Sequence, residues 1–517
     1  MCMHAIATID IGSLPRDVDA LLEVIAEQRR QFSAVIDSLR MQVEKMKRMT
    51  FGSRSERLSG QALLFTEDLP IPPTPPKLPT TTVAAHERKR RGRPALPGHL
   101  PRIRKEYDLT DEQKAQFDRI ALIGEVISST LDVIPQKVFV IDHARAKYRC
   151  TKDGVTSIVV ADAQPSPLRK SNASAGMLAH VLVSKYCDGI PLARQEKIFA
   201  RHGVDLARTT LDDWILMSAE KLAVLMPVLK AHMLGATVLF ADDTTLKLVE
   251  DGRRRSRTAR LWVYVSSGAK QDPQGNWIAY PKAAYFEFTE TREAIHPTRF
   301  LNGYRGFVQA DDYSGYHPTF ATGLAEHCLC WAHVRRRYFE VASQPGSSPL
   351  ASEALSFIRG IYHIEAEHKD VTPDDRLVAR KKFSVPLLRR FYDWLCHHQP
   401  SLLPRSPLGK AFAYTLSNWA ALMRFTTDGN VAPDSNLVER TIRPVAVGRK
   451  AWLFAASERG GHAAAVAFSL IESCKLAGVE PYAYLRDVLQ RIDGHRIDRL
   501  HELLPFNWKP AGDCNSV

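Results

Sequence analysis

Three acidic positions in this 517-residue chain have surroundings that could support chemistry. Asp242, followed by Asp243, lies in FADDTTLKL, and Asp311, followed by Asp312, lies in VQADDYSGY. Glu439 lies in DSNLVERTIRPVAVGRKAWLF. Both Asp doublets read as the carboxyl ends of apolar strands. An uncompensated charge is costly there, and α/β sheets place their ligand groups there. Carboxylates converging from distant positions are hard oxygen ligands of the kind Mg²⁺ or Mn²⁺ accepts, and two such ions suit phosphodiester chemistry. A plainer reading stands beside this one. Asp doublets also close strands and cap turns, and Asn436-x-x-Glu439 fits a capping box. Strand alternation sends one Asp of each doublet toward a site without saying which.

Arg440, Arg443, Arg449 and Lys450 crowd around Glu439. If the Glu holds a metal, these cations can neutralise the phosphates of a polyanion beside it. A helix starting near Glu439 is expected to end or kink at Pro444. The whole chain agrees in sign, with 70 basic against 57 acidic residues, a net charge of +13 and a pI near 9.3. That balance favours nucleic acid as partner. It speaks against a two-carboxylate glycosidase. The N-terminus shows no signal-peptide pattern, no apolar run is long enough to span a bilayer, and the eight cysteines are scattered. These features predict a reduced, cytoplasmic, nucleoid-associated protein with no membrane partner.

The elements that must position these acids follow from periodicity. Residues 18–50 carry a three-four apolar spacing that reads as a short coiled coil, or as a helix packed on its own protein. Residues 61–105 form a proline-rich and then basic linker. In it Arg88, Lys89, Arg90, Arg91 and Arg93 surround RGRP, a sequence like an AT-hook that enters a narrow minor groove, or else a solvated stretch. From 120 to 165, DVIPQKVFVIDH and TSIVVAD suggest a small sheet. PLARQEKIFARHGVDLARTTLDDWI has a helix-turn-helix pattern within residues 170–225, placing Arg208, Thr209 and Thr210 at the start of the recognition helix. Then 237–249, 259–268, 283–291 and 306–316 read as strands with a helix near Ala294–Leu301, a mixed sheet flanked by helices. Residues 332–425 read as mostly helical.

Taken in order, these segments resemble bacterial insertion-sequence transposases of the IS-sixty-six family. FADDTTLKL looks like the family's first-Asp motif, VQADDYSGY its second, and CLCWAHVRRRYFE the segment beyond it. DSNLVERTIRPVAVGRKAWLFA resembles the Glu motif, and PYAYLRDVL with LLPFNW the C-terminal tail. FGSRSERL and AGMLAHVLVSKYCDGIPLARQE are similar to the N-terminal half, so the likeness runs from about residue 20 to 510.

The resemblance implies a multidomain α/β plus α protein. A degenerate zinc-ribbon-like module (106–168) would precede the helix-turn-helix. A ribonuclease H-like catalytic core (230–335 and 430–475) would follow, interrupted by a helical insertion (336–429) and closed by a tail (476–517). The triad, which would also hold a pair of Mg²⁺ or Mn²⁺ ions, falls on Asp242, Asp311 and Glu439, the first Asp of each doublet. The family's zinc module uses two Cys-x-x-Cys pairs, but here YRCTKDG keeps only Cys150 and FDRIALIGE has none, so structural zinc is not expected. Cys328, Cys330 and His333 lie close together without an evident fourth ligand, and read as a strand end before a helix bearing Arg335, Arg336 and Arg337. The implied partners are double-stranded DNA (element ends and target), a second copy of the chain, and small accessory proteins of the same element. The implied activity is metal-dependent strand cleavage and strand transfer. A relative that binds DNA without cutting it is the alternative.

Overall fold

The computed structural model describes residues 137–510 apart from 153–154, 163–165, 170, 250–255 and 345–347. The predicted coiled coil, the linker with Arg88, Lys89, Arg90, Arg91 and Arg93, and most of the zinc-ribbon-like module lie outside them. The chain divides into two units, residues 67–160 and the remainder. In the smaller unit the described structure is an antiparallel hairpin, β1 (Lys147–Lys152) with β2 (Val155–Val160), in which Cys150 stands opposite Ser157. The strand expected from DVIPQKVFVIDH does not extend into Lys137–Ala146, which is irregular. Phe139, Val140 and Ile141 are exposed there, so this apolar run lacks the burial that would hold a strand.

Among the described residues, the larger unit opens with four helices: α1 (Ala175–Tyr186), α2 (Leu192–Arg201), α3 (Arg208–Leu222) and α4 (Met226–Leu234). A five-stranded sheet comes next. It is built from β3 (Val238–Leu248), β4 (Arg257–Ser267), β7 (Ala284–Thr289), β8 (Gly306–Gln309) and β9 (Ala325–Cys328), in the order β7-β4-β3-β8-β9. The first three strands in sequence pair antiparallel, while β8 and β9 run parallel to β3. A two-stranded ribbon, β5 (Ala269–Gln271) with β6 (Trp277–Ala279), extends the β4–β7 connection. Short helices α5 (Ile295–Phe300) and α6 (His317–Ala321) supply the crossovers into β8 and β9.

The strands form because they are rich in β-branched and aromatic residues, and because helices cover them. Trp262, Tyr264, Val263 and Val265 on β4 are fully buried. Tyr264 stacks on Phe300 of α5 at 3.6 Å. Helix α14 (Glu458–Ala477) lies against β7, with Phe468 touching both Phe286 and Tyr186 of α1. Because β7 is an edge strand, its free backbone groups need partners. Ser469 and Ser473 of α14 provide them, accepting from Phe286 N at 2.8 Å and Ala284 N at 2.9 Å.

Between β9 and the Glu439 helix stand α7 (Trp331–Ala342), α8 (Pro349–Glu367), α9 (Pro373–Ala379), α10 (Val385–His398), α11 (Pro407–Ser417) and α12 (Trp419–Met423). Phe391 anchors them against Trp331, Phe357, Trp394 and Trp419. Helix α13 (Asn436–Trp452) carries Glu439, and α15 (Pro481–Arg491) precedes a C-terminal 3₁₀ stretch. Among the described residues no helix is long and apolar enough to cross a membrane.

Candidate active site

The sheet opens where β3 and β8 part. Their parallel register ends at Phe240 paired with Gln309, after which β3 continues beside β4 alone. Asp242 lies two residues beyond that last pair, and Asp311 two residues beyond the end of β8. Parting parallel strands of this kind leave the crevice in which α/β sheets hold ligands. One expectation is corrected here: Asp242 stands in the middle of an 11-residue strand, not at its end. Thr244, Thr245 and Leu246 extend β3 past the acids because β4 pairs with it along its whole length.

The two residues of each doublet have different partners. Asp243 has a side chain only 2% exposed and is saturated by cations. Arg260 donates to its Oδ2 at 2.8 Å, and Arg292 to its Oδ1 from Nε at 2.9 Å and Nη2 at 2.7 Å. Asp312 accepts from Asn418 Nδ2 at 3.1 Å, a contact with the helical segment. Asp242 has no such cation among the described residues. Its Oδ1 accepts from Asp243 N at 2.7 Å. Burial pushes its carboxyl up to about 7 against that hydrogen bond, and the charges of Asp311, Asp243 and Glu439 push the same way. Burial also raises Asp311, with Arg292 opposing and Asp243 adding to the rise. Arg292 Nη2 stands 3.8 Å from Asp311 Oδ2, and the guanidinium stacks over Tyr313.

Glu439 occupies the first turn of α13. Ser435, not Asn436, is the residue that precedes the helix, and it makes no side-chain cap. Its hydroxyl instead donates to Glu439 Oε1 at 3.1 Å, so the capping box is not built. His333 Nε2 lies 3.3 Å from Oε1, and Arg336 Nη2 3.8 Å from Oε2. Burial works to raise this carboxyl, but His333, Arg336 and Ser435 outweigh it and hold it below its usual value. The start of α13 is pinned to the start of α7: Trp331 N donates to Pro433 O at 2.9 Å, and Ser435 N to Cys330 Sγ at 3.2 Å.

Helix α13 runs through Pro444 to Trp452, although the proline predicts an end or kink. Tertiary contacts offset the hydrogen bond lost at the proline. Val445 and Gly448 are buried, and Arg449 Nη1 donates at 2.8 Å to Thr244 Oγ1, Thr245 O and Thr245 Oγ1 of β3. Arg449 therefore clamps α13 to the acid-bearing strand. Arg440, Arg443 and Lys450 are exposed. With Val447 they occupy one stripe of the helix, opposite Val438, Thr441, Val445 and Gly448.

Arg208 and Thr209 are exposed and Thr210 half-buried in the first turn of α3, after the turn in which Gly203 takes φ +74°. At the α1–α2 turn, Gly189 has φ +72° and faces the Gly448 backbone, which an added Cβ would meet at an ordinary van der Waals separation of 4.0 Å. The turn ahead of α2 and α3 is thus seated next to the Glu439 helix.

Four side chains at the site carry no clear signal in the sequence: Arg260, Arg292, His333 and Arg336. His333 and Arg336 are three residues apart and share a face of α7, a spacing visible in CLCWAHVRRR, but their partner is over a hundred residues away. Of the neighbouring arginines, Arg337 stacks on Tyr414 at 3.9 Å and Arg335 approaches Phe339.

Comparison with known proteins bears on most of the chain. Residues 170–463 match the family model described as Transposase IS66 family, residues 469–506 the IS66 C-terminal element, and residues 38–104 a model described as Transposase C of IS166 homeodomain. Uncharacterized protein y4jD of Sinorhizobium fredii is 34% identical, the match covering 94% of this chain and 98% of that one. Uncharacterized protein y4hP of the same organism is 32% identical, over 92% and 89% respectively. The extent of these matches shows that the chain belongs to the IS66 family of transposases.

Proposed function

We propose that this chain is a DDE transposase that binds the terminal inverted repeats of its mobile element, cuts DNA at their ends and joins them to a target. The observation that carries the reading is the division of the doublets. Asp242 has no cation beside it among the described residues and feels the charges of Asp311 and Glu439, while Asp243 is held by Arg260 and Arg292 and Asp312 by Asn418. The strand order, three antiparallel strands followed by two parallel to the first, supports a ribonuclease H-like core, with α7–α12 as an insertion between its last strand and the Glu439 helix.

The donor set fits a hard divalent cation. Burial raises Asp242 first, and the charges of Asp311 and Glu439 add to the rise; a bound cation offsets both. Asp242, Asp311 and Glu439 would hold Mg²⁺ or Mn²⁺, which as a bound pair supplies charge stabilisation to an in-line phosphoryl transfer. The chain's own groups prepare the rest. Arg260 and Arg292 hold Asp243 in ion pairs that offset part of its charge, and His333, Arg336 and Ser435 keep Glu439 ionised and oriented. The stripe of Arg440, Arg443 and Lys450 is exposed and suited to phosphates near the scissile bond. Arg208, Thr209 and Thr210 open the helix suited to base edges. The two reactions are hydrolysis that frees a 3′-hydroxyl and attack of that hydroxyl on target DNA. Neither needs a covalent protein–DNA intermediate. Joining two ends calls for at least two copies of the chain.

The assignment is tested by strand cleavage with Asp242→Asn, Asp311→Asn and Glu439→Gln, each expected to lose at least about 1000-fold. Asp312→Asn is expected to stay within about tenfold of the unmodified protein. Equal loss from Asp312→Asn and Asp311→Asn would remove the basis for choosing the first Asp.

A further inference from the structure

Besides the aspartates, Glu439 has a second set of neighbours. The Cys330 thiol, a His333 ring nitrogen and a Glu439 carboxylate oxygen all lie within 4.8 Å of one another. We infer that Cys330, His333 and Glu439 form a separate metal site for a thiophilic divalent ion of the zinc class, sharing Glu439 with the oxygen-only set.

Four-coordinate ligands at about 2.0–2.3 Å from such an ion stand roughly 3.3–3.8 Å apart. His333 Nε2 and Glu439 Oε1 are already 3.3 Å apart, so small rotations of the other pairs close the set. The frame holding these ligands is rigid. Cys330 immediately precedes α7, His333 lies in its first turn, and the hydrogen bonds of Trp331 and Ser435 fix that end of α7 to the start of α13. Ser435 supports two ligands at once, its N–H donating to Cys330 Sγ and its hydroxyl to Glu439 Oε1. Outer partners of this kind orient metal ligands and tune their affinity. Three protein ligands leave a fourth position for water, the pattern of open zinc sites.

The chemistry of the donors separates the two ions. A thiolate, an imidazole and a carboxylate select zinc-class ions, whereas Mg²⁺ prefers oxygen alone. The Cys330 thiol is buried, and the ion would displace its proton on binding. An ion held here takes the Glu439 carboxylate from Asp242 and Asp311, so occupancy switches strand cleavage off. That consequence rests on the proposed function, but the binding itself does not.

Co²⁺ serves as the probe, added without DNA to the full-length protein in its reduced form. The expected spectrum has strong visible bands of a four-coordinate ion and a thiolate charge-transfer band, saturating at one equivalent. Both should be lost in Cys330→Ser, reduced in His333→Gln, and kept in Cys328→Ser, whose buried thiol is outside the set. His333 is partly exposed, so its variant tests the site even if Cys330→Ser folds poorly. Absence of the charge-transfer band in the unmodified protein, its persistence in Cys330→Ser, or an undiminished band in His333→Gln would overturn the inference. Because the spectrum is read without DNA, a protein that binds Co²⁺ in this way but never cuts would count against the proposed function alone.

Discussion

Asp242 is buried beside three other carboxylates, and that arrangement is unfavourable to the metal-free fold. A carboxyl whose native value is near 7 binds its proton more tightly folded than unfolded. Its contribution to stability is therefore lost as pH rises from about 4 to about 7, the reverse of a salt-bridged aspartate. Asp242→Asn should accordingly stabilise metal-free protein at pH 8, by up to roughly 4 kcal/mol, and change it little at pH 4. Scanning fluorimetry reads this as a higher Tm at the upper pH alone, and an equal shift at both would contradict the burial argument. Added Mg²⁺ should stabilise the unmodified protein more than this variant.

At the scale of elements, the site depends on how α13 and α14 meet the sheet. Arg449→Met removes three hydrogen bonds to β3 and leaves their acceptors in a half-buried seam. A loss of about 2–3 kcal/mol is expected, partly recovered by Arg449→Lys, with urea unfolding as the measurement. Gly461 of α14 lies so close to the Phe288 ring that an added Cβ would stand 2.5 Å from it. Gly461→Ala should cost about 1–3 kcal/mol, and no loss would show that α14 can retreat from β7. The strands are legible from composition: β3, read as 237–249, spans Val238–Leu248 because β-branched and aromatic residues mark it. Two local rules fail for tertiary reasons. The acids in FADDTTLKL suggest a strand end, but β4 carries β3 onward. Pro444 suggests a helix end, but Arg449 and a buried face hold the last turns. The carboxylates can be picked out because buried acids are rare and their motifs resemble a known family. His333, Arg336, Arg260 and Arg292 cannot, since each acquires its role from a partner distant in sequence.

Over the whole molecule, a net charge of +13 gives DNA a general attraction, and position decides what each cation adds. Arg440 and Lys450 lie on an exposed stripe of the Glu439 helix, where backbone phosphates are the natural partners. Replacing both with Ala should weaken binding to every DNA sequence alike and lower the salt-dependence slope by about 2. Changing Arg208 and Thr209 should instead alter discrimination between the element's ends and unrelated DNA, because these residues open the helix suited to base contacts. A loss of discrimination from the α13 pair, or a uniform loss from the α3 pair, would reverse these assignments.

The most direct measurement uses purified protein and labelled DNA carrying the repeats that flank its gene, with Mg²⁺ or Mn²⁺, beside the Asp242→Asn variant. Nicking at the repeat boundary that needs the metal and disappears in the variant is the predicted result. Nicking that persists in Asp242→Asn, or that proceeds with the metal removed by a chelator, would contradict a catalytic site built on Asp242, Asp311 and Glu439.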